Sequence, residues 1–390
     1  MTDKLTITKI QLVFLLFQTQ IGIRVLELSY DLHKKVGISG WISVILTGIA
    51  VQLILTVMYF LCIRFPKESL YEFMVHIVGK KIAILLAFAY VAHFTLNATS
   101  VLSGGIMRLQ AWAYPLTPPW AIGLLFLIIM LYFCGQNLRV IAQFDGLVSI
   151  LFVLLVVLLI WGLEDSDIRY IFPLFDSGWT KIFKGIKPAW FAFTGMEIFL
   201  LSYMLVDDKK GVYKFLTFEN VLVTLFYTFV VLVCSLSLTP NQSLQVTTPV
   251  LFLLKSLGTM IIERIDLIFM SIWLISLAST IISYIYGASR GLQHIFNAGN
   301  RTQDYVLYTS AIAFLFSLYL DNEQKQDILN SVLITENFVF IAVIPLLLLI
   351  GTLVGKKGER GMVQYEIYSD SRSFDGIGHI TGRVLGSKAS

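Results

Sequence analysis

Glu197 stands inside an apolar stretch, Lys184–Val206 (KGIKPAWFAFTGMEIFLLSYMLV), directly after Thr194-Gly195 and Met196. A carboxylate at membrane depth costs about 2.5–3.5 kcal/mol on insertion scales, so it faces protein or water. Glycine in a helix interior costs about 1 kcal/mol relative to alanine. A charge and a weak point together predict a broken helix that lines a binding site. The plainer alternative is a packing glycine beside a glutamate near a helix end. A second polar cluster comes earlier, at Gln18, Gln20, Gly22, Arg24 and Glu27. Arg24 and Glu27 are three apart and share a helix face, where they pair. Arg24 could instead snorkel outward, or offer its fork to a ligand carboxylate or to Glu197. His93, Asn97, Ser100 and Gly104 recur at helical spacing, as do Ser276, Thr280 and Tyr284, with Ser279 and Ser283 beside them. Such stripes bind a small polar ligand or pack helix against helix. Asp145, Glu219 and Glu336-Asn337-Phe338 are further polar positions in or near apolar runs. No paired carboxylates with a histidine nearby stand out in the chain, so no catalytic role is expected. A proton-coupling role for Glu197 is left open.

These residues need elements to hold them, and the composition says which kind. Of 390 residues, 57% are hydrophobic and only 14% charged, against about 25% charged in soluble domains. This is the composition of an integral membrane protein. The net charge of +4 gives no nucleic-acid signature. Cys62, Cys134 and Cys234 sit in apolar runs, which argues against a disulfide framework or metal site. No cleavable leader, Walker A loop, HExxH or GxSxG motif is read, and neither a cofactor nor an enzymatic activity is expected.

With about 20 apolar residues per span, ten transmembrane helices are expected. Their limits are Ile10–Leu32, Gly40–Ile63, Ile82–Met107, Trp120–Cys134, Val140–Leu163, Ile182–Val206, Phe218–Leu238, Leu267–His294, Val306–Leu320 and Val332–Val354, the last opened by Glu336-Asn337-Phe338. Pro66–Val78 reads as an amphipathic interfacial segment, and Val246–Leu257 as a short re-entrant or interfacial helix. Residues 1–354 form one membrane domain, and 355–390 a polar, mobile tail. A small excess of Lys and Arg places the N-terminus inside. The first and sixth spans both carry a glycine interruption, at Gly22 and Gly195, and each opens a run of five spans. An odd count inverts the second run, so interrupted helices meet at the midplane of a 5+5 inverted repeat.

The run Phe172–Leu201, the run Glu263–Leu292, and Gln11 with Gln20-Ile21-Gly22 and Gly40-Trp41-Ile42 resemble the B subunits of GerA-type spore germinant receptors over nearly the whole chain up to about Lys357. The Gly-Met-Glu and Glu-Arg-Ile-Asp stretches are the more specific parts. That resemblance implies the amino acid–polyamine–organocation transporter fold, LeuT-like, all-α, with the first and sixth helices unwound. It also implies assembly with an A subunit and a lipoprotein C subunit in the inner membrane of a spore, and sensing of a small nutrient, often an amino acid. It carries Gly22, Asn97, Thr194, Thr280, Tyr284 and Phe338 into the pocket. Gln20, Arg24, His93, Gly195, Glu197 and Ser276 join them from the residue patterns above. Arg24 and Ser29 depart from the family pattern, which usually has a second small residue and proline there. A proton-coupled amino acid or polyamine permease is the alternative function.

Overall fold

A computed structural model describes residues 6–164, 166–172, 175, 178–257, 264–296 and 302–355; the polar tail from 356 on lies outside them. The described residues are overwhelmingly helical. In chain order the helices are α1 (Lys9–Gln20), α2 (Arg24–Lys35), α3 (Gly40–Cys62), α4 (Leu70–Val78), α5 (Lys80–Trp112), α6 (Pro119–Cys134), α7 (Leu138–Trp161), α8 (Gly178–Ala192), α9 (Phe199–Ser202), α10 (Val212–Ser237), α11 (Pro240–Gln245), α12 (Pro249–Ser256), α13 (Ile265–Phe296), α14 (Thr302–Tyr319), α15 (Glu323–Phe338) and α16 (Ile344–Val354). Among the described residues, six helical stretches are long and apolar enough to cross a bilayer, and two bent pairs bring the number to eight. The other two expected spans are α6, of 16 residues, and α14, of 18, which pack on each other and on α13.

Both interrupted spans are broken. The chain bends by 55° between α1 and α2, and by 50° between α8 and the Met196–Leu205 segment that contains α9. In the second break the cause is local. Gly195 takes φ +113, a left-handed conformation that only glycine adopts without strain. Pro188 inside α8 has already removed one helical donor. In the first break Ile21 leaves helical geometry and Gly22 and Ile23 form the turn before α2.

The tenth span differs from its expected start. It is one stretch, Glu323–Val354, interrupted by a π-helical turn at Val339–Val343. Glu336 therefore lies deep within it and does not open it. Its first half is polar, so hydropathy alone cuts it off; it is helical because Gln326, Asn330 and Asn337 face polar partners on α5. Pro345 removes the donor that would close the next helical turn, and the Tyr90 hydroxyl donates to the Phe340 carbonyl at 3.0 Å.

The core centres on α5 and α13, the two longest unbroken helices, packed on each other and on α1, α6 and α7. The amphipathic segment is α4. It buries Leu70, Tyr71, Phe73, Met74 and Ile77 and exposes Glu72 and His76. The short apolar segment before α13 is α12, whose eight residues pack on α2, α10 and α13 and are too short to span at 1.5 Å each. Cys62, Cys134 and Cys234 are buried free thiols.

The beginning of the first span is fastened to the end of the sixth. Ile7 and Val206 form an isolated parallel bridge. The Ile7 N–H donates to Leu205 O at 2.9 Å and the Asp207 N–H to Ile7 O at 3.0 Å. Lys9 pairs with Asp208 at 2.7 Å. In the turn that follows, Lys209 donates to Val206 O at 2.8 Å. Burial pushes its amine below the usual lysine range, against the opposing pull of Asp207.

Candidate functional site

The two breaks meet face to face beside α13. Broken helices expose carbonyls that a continuous helix would satisfy, and one face of α13 supplies donors to those of the first break. Thr280 donates to Gln18 O at 2.9 Å, Ser276 contacts Ile21 O at 3.2 Å, and Trp273 Nε1 donates to Gly22 O at 3.2 Å. From α10, Tyr227 donates to Gln20 O at 2.8 Å. The expected hydroxyl stripe exists, but Ser276 and Thr280 are turned to the backbone of the first break. Ser276 also donates to Gln18 Oε1 at 2.6 Å. Trp273 and Tyr227 were not among the expected site residues. Trp273 had a signal, since 273, 276, 280 and 284 fall on one helical face.

Between the breaks lies a chamber of about 20 Å³ lined by both, by α5 and by α13. Of the expected residues, Gln20, Gly22, Arg24, Asn97, Thr194, Thr280 and Tyr284 border it, with Thr19, Ser100 and Phe191. Tyr284 meets the Thr194 side chain. Phe338 does not border it: half exposed, it packs edge-on against Trp190 with ring centroids 5.6 Å apart. Gly195 packs against the backbone of Thr19 at the first break.

Arg24 closes one side. Its guanidinium lies 3.9 Å from the centroid of the Phe191 ring and pairs with Glu27 at 3.2 Å and Asp31 at 3.3 Å. The expected Arg24–Glu27 pair is present, and the contact with Glu197 is not. Beyond this stack opens a polar cavity of about 380 Å³, bordered by Arg24, Phe191, Arg108, Asp31 and Glu323 among others. Arg108 bridges Glu27 at 2.9 Å and Glu323 at 3.1 Å.

Glu197 is committed elsewhere. Its Oε2 accepts from the Gly195 N–H at 2.8 Å, so the acid caps the break that precedes it. Its Oε1 lies 3.1 Å from His93 Nε2, and His93 Nδ1 lies 2.7 Å from Glu336 Oε1. A histidine between two carboxylates is the arrangement that the sequence did not reveal. It is assembled from three elements more than a hundred residues apart, and Glu336 had been placed at a span end. The rest of the α5 polar face pairs with α15: Asn97 and Asn337 exchange amide bonds at 2.9 and 3.2 Å, and Ser100 donates to Asn330 Oδ1 at 2.8 Å.

Two further acids are fully buried. Asp145 accepts from Ser279, and Glu219 accepts from Gln20 Nε2 at 2.6 Å. Among the described residues, no group of three or more His, Cys, Asp or Glu is arranged to hold a metal ion.

The arrangement has the architecture of a known class. The fold is similar to that of MhsT, solved in complex with L-phenylalanine, with a TM-score of 0.69 over 92% of each chain at 14% identity. It is also similar to a Na+-coupled sialic acid symporter, with a TM-score of 0.66 over 86% of this chain and 77% of that one, again at 14% identity. The protein is thus a multi-pass integral membrane protein with the LeuT-type transporter fold. Within that class the chain belongs to the spore germination protein family, whose sequence profile matches residues 6–326. It is 26% identical to spore germination protein GerQB of Bacillus cereus over 87% of this chain and 94% of the relative. It is 24% identical to YndE and to B2 of Bacillus subtilis, each over 92% of this chain and over 99% and 98% of the relatives. These are germinant receptor proteins of the B-subunit type.

Proposed function

We propose that this chain is the nutrient-sensing subunit of a spore germinant receptor. It binds a small nutrient, an amino acid by preference, in the chamber between the two breaks, and hands the resulting conformational change to A and C subunits in the inner membrane of the spore. The observation that supports this most is the chamber itself: two broken helices converge on one small space bordered by Gln20, Arg24, Asn97, Thr194 and Thr280, in a fold shared with a protein solved holding L-phenylalanine. Backbone polar groups at such breaks are suited to the carboxylate and ammonium of an amino acid, and those of the first break become available once the side chains that hold them here give way. At about 20 Å³ the chamber has room for about one water. This is a closed form, and a ligand enters only when the Arg24–Phe191 stack moves. Signalling is then a population shift, driven by a ligand that prefers one conformer.

The test is binding and transport measured on the same preparation. The purified full chain in lipid vesicles is presented with single radiolabelled amino acids. Saturable binding without accumulation, and co-purification of two partner subunits from spores, is the expected result. Accumulation driven by a proton gradient would assign a permease instead.

The α13 face gives a graded prediction. Tyr284→Phe removes a hydroxyl at the chamber wall, and Thr280→Ala removes a donor from the first break. One hydrogen bond is worth roughly 0.5–1.5 kcal/mol, so each variant should need about 2- to 13-fold more nutrient for half-maximal germination. Dose–response curves at matched protein level measure this. Two wild-type curves would reduce the stripe to packing.

Arg24 gives a different one. Glu27 and Asp31 already neutralise it, so it acts as a cover and not as a charge for the ligand. Arg24→Gly is expected to raise the effective concentration of every nutrient by a similar factor and leave their rank order unchanged. Arg24→Lys should behave like Arg24→Gly, because the planar stack on Phe191 is lost although the charge stays. A changed rank order among anionic, zwitterionic and uncharged nutrients would place the guanidinium on the ligand.

A further inference from the structure

The cluster Glu197–His93–Glu336 has a hydrogen count that can be settled from its geometry. Each of its two N···O contacts, at 3.1 and 2.7 Å, is a hydrogen bond only if one hydrogen lies in it. A neutral imidazole brings one N–H, and two ionised carboxylates bring none. No neighbour supplies the second. Asn97 Nδ2 comes within 3.4 Å of His93 Nδ1, but its two hydrogens already serve His93 O at 3.0 Å and Asn337 Oδ1 at 2.9 Å. The Gly195 N–H serves the other oxygen of Glu197. Tyr90 from α5 and Tyr284 from α13 are the titratable groups facing the two acids from the elements packed on them. The Tyr90 hydroxyl donates to Phe340 O, and Tyr284 meets Thr194. No lysine or arginine pairs with the cluster among the described residues.

We propose that Glu197, His93 and Glu336 form a proton-binding site, and that its bound proton latches the second break to the tenth span through α5. The proton is held as imidazolium, each ring N–H donating to one carboxylate, so that the trio carries one net negative charge. When it leaves, a nitrogen lone pair faces a carboxylate oxygen across the shorter or the longer contact, and two buried negative charges remain. That state relaxes by separating the contact. His93 and Glu197 are fully buried, while the Glu336 side chain keeps 17% exposure, so Glu336 is the member nearest to solvent and the point of entry, although its unpartnered Oε2 is itself buried. The elements on either side are those able to move: the break at Gly195 and the π-helical turn that starts three residues after Glu336. By linkage, a nutrient that favours the latched form raises the affinity for the proton, and the proton raises the affinity for that nutrient. Only this coupling rests on the proposed sensing function; proton binding and latching are properties of the chain without ligand.

The test therefore uses the nutrient-free full chain in lipid nanodiscs. Ring-nitrogen resonances of 15N-histidine are followed against pH and assigned to His93 by their loss in His93→Gln. Hydrogen exchange at residues 194–198 and 336–343 is followed in parallel and corrected for the intrinsic pH dependence. His93 is expected to lose one proton in a single step, and both segments to exchange faster once it is lost. Glu336→Gln should bind that proton about tenfold more weakly, a shift of roughly one pH unit. A His93 ring in one unchanging neutral tautomer across the folded range, or a titration that ignores Glu336→Gln, would overturn the site. Titration with unchanged exchange in both segments would overturn the latch. Absence of nutrient binding in the vesicle assay would overturn the sensing function and leave these readouts as they are.

Discussion

Gly195→Leu is expected to abolish the germination response while the chain still inserts in the membrane at near-normal level. Even Gly195→Ala should impair it severely. A Cβ on Gly195 would stand 2.8 Å from Thr19 Cγ2 and 2.9 Å from the Thr19 carbonyl oxygen. The backbone of the first break cannot yield as a flexible side chain would. The φ of +113 adds strain of about 1–3 kcal/mol for any other residue, and overpacking adds a similar amount. The defect lands where the two breaks touch, so it deforms both chamber walls. Two controls separate this from a general intolerance. Gly211 also has positive φ, at +74, but nothing lies within 4 Å of its added Cβ, so Gly211→Ala should show the backbone cost alone. At Gly146 on α7, away from the chamber, an added Cβ meets Phe14 Cδ2 at an ordinary 3.7 Å, without positive φ, so Gly146→Ala should respond almost normally. Nutrient dose–response with immunoblot normalisation measures all of these. A normal curve for Gly195→Ala would falsify the assignment of the second break as a chamber wall.

The largest loss of stability is expected from His93→Ala. Removing the partner of a buried charge typically costs 3–5 kcal/mol, because the remaining charge has no compensation. Here two carboxylates lose their shared partner, and the Phe340 ring loses a stacked neighbour at 4.8 Å. Thermal unfolding in detergent should show the lowest midpoint of any variant described here. Adding Glu197→Gln to His93→Ala should restore part of the loss, since the amide removes one unpaired charge while still accepting from the Gly195 N–H. If the double variant were as unstable as the single one, packing and not charge would account for His93.

Much of this architecture was legible from the chain. The breaks at Gly22 and Gly195 were, because glycine within an apolar run is a local signal and Gly195 bears the required φ. The polar face of α5 was too, because helical spacing records a face. Its partner was half hidden: the tenth span was expected to begin at Val332, because the turns of α15 before it are polar, and these pair Gln326 and Asn330 with α5, as Asn337 does further on. With the start of that helix misplaced, Glu336 looked like an end residue and the His93 cluster could not be seen. The stripe on α13 was found, but not its orientation. Spacing says which residues share a face, while the direction of Ser276 and Thr280 toward backbone carbonyls depends on where another helix has come apart. Phe338 was assigned through family likeness alone, and the π turn that follows shows how register in this stretch departs from simple helical counting.

If the chain senses nutrient as proposed, the bridge between Ile7 and Val206 bears on what a partner subunit would sense. Two backbone hydrogen bonds and the Lys9–Asp208 pair fasten the start of α1 to the end of the segment containing α9. On that side of the bilayer the two half-helices make a single lever whose arms cannot swing apart while the fastening holds. On the other side, α2 and α8 are joined mainly by side chains, among them the Arg24–Phe191 stack. Rearrangement of the chamber would thus be uneven in its mechanical output: loose and local at the ligand's entrance, rigid and transmitted at the chain's N-terminal end. A subunit reading the receptor from that end would feel one displacement, in which the first and sixth spans arrive together.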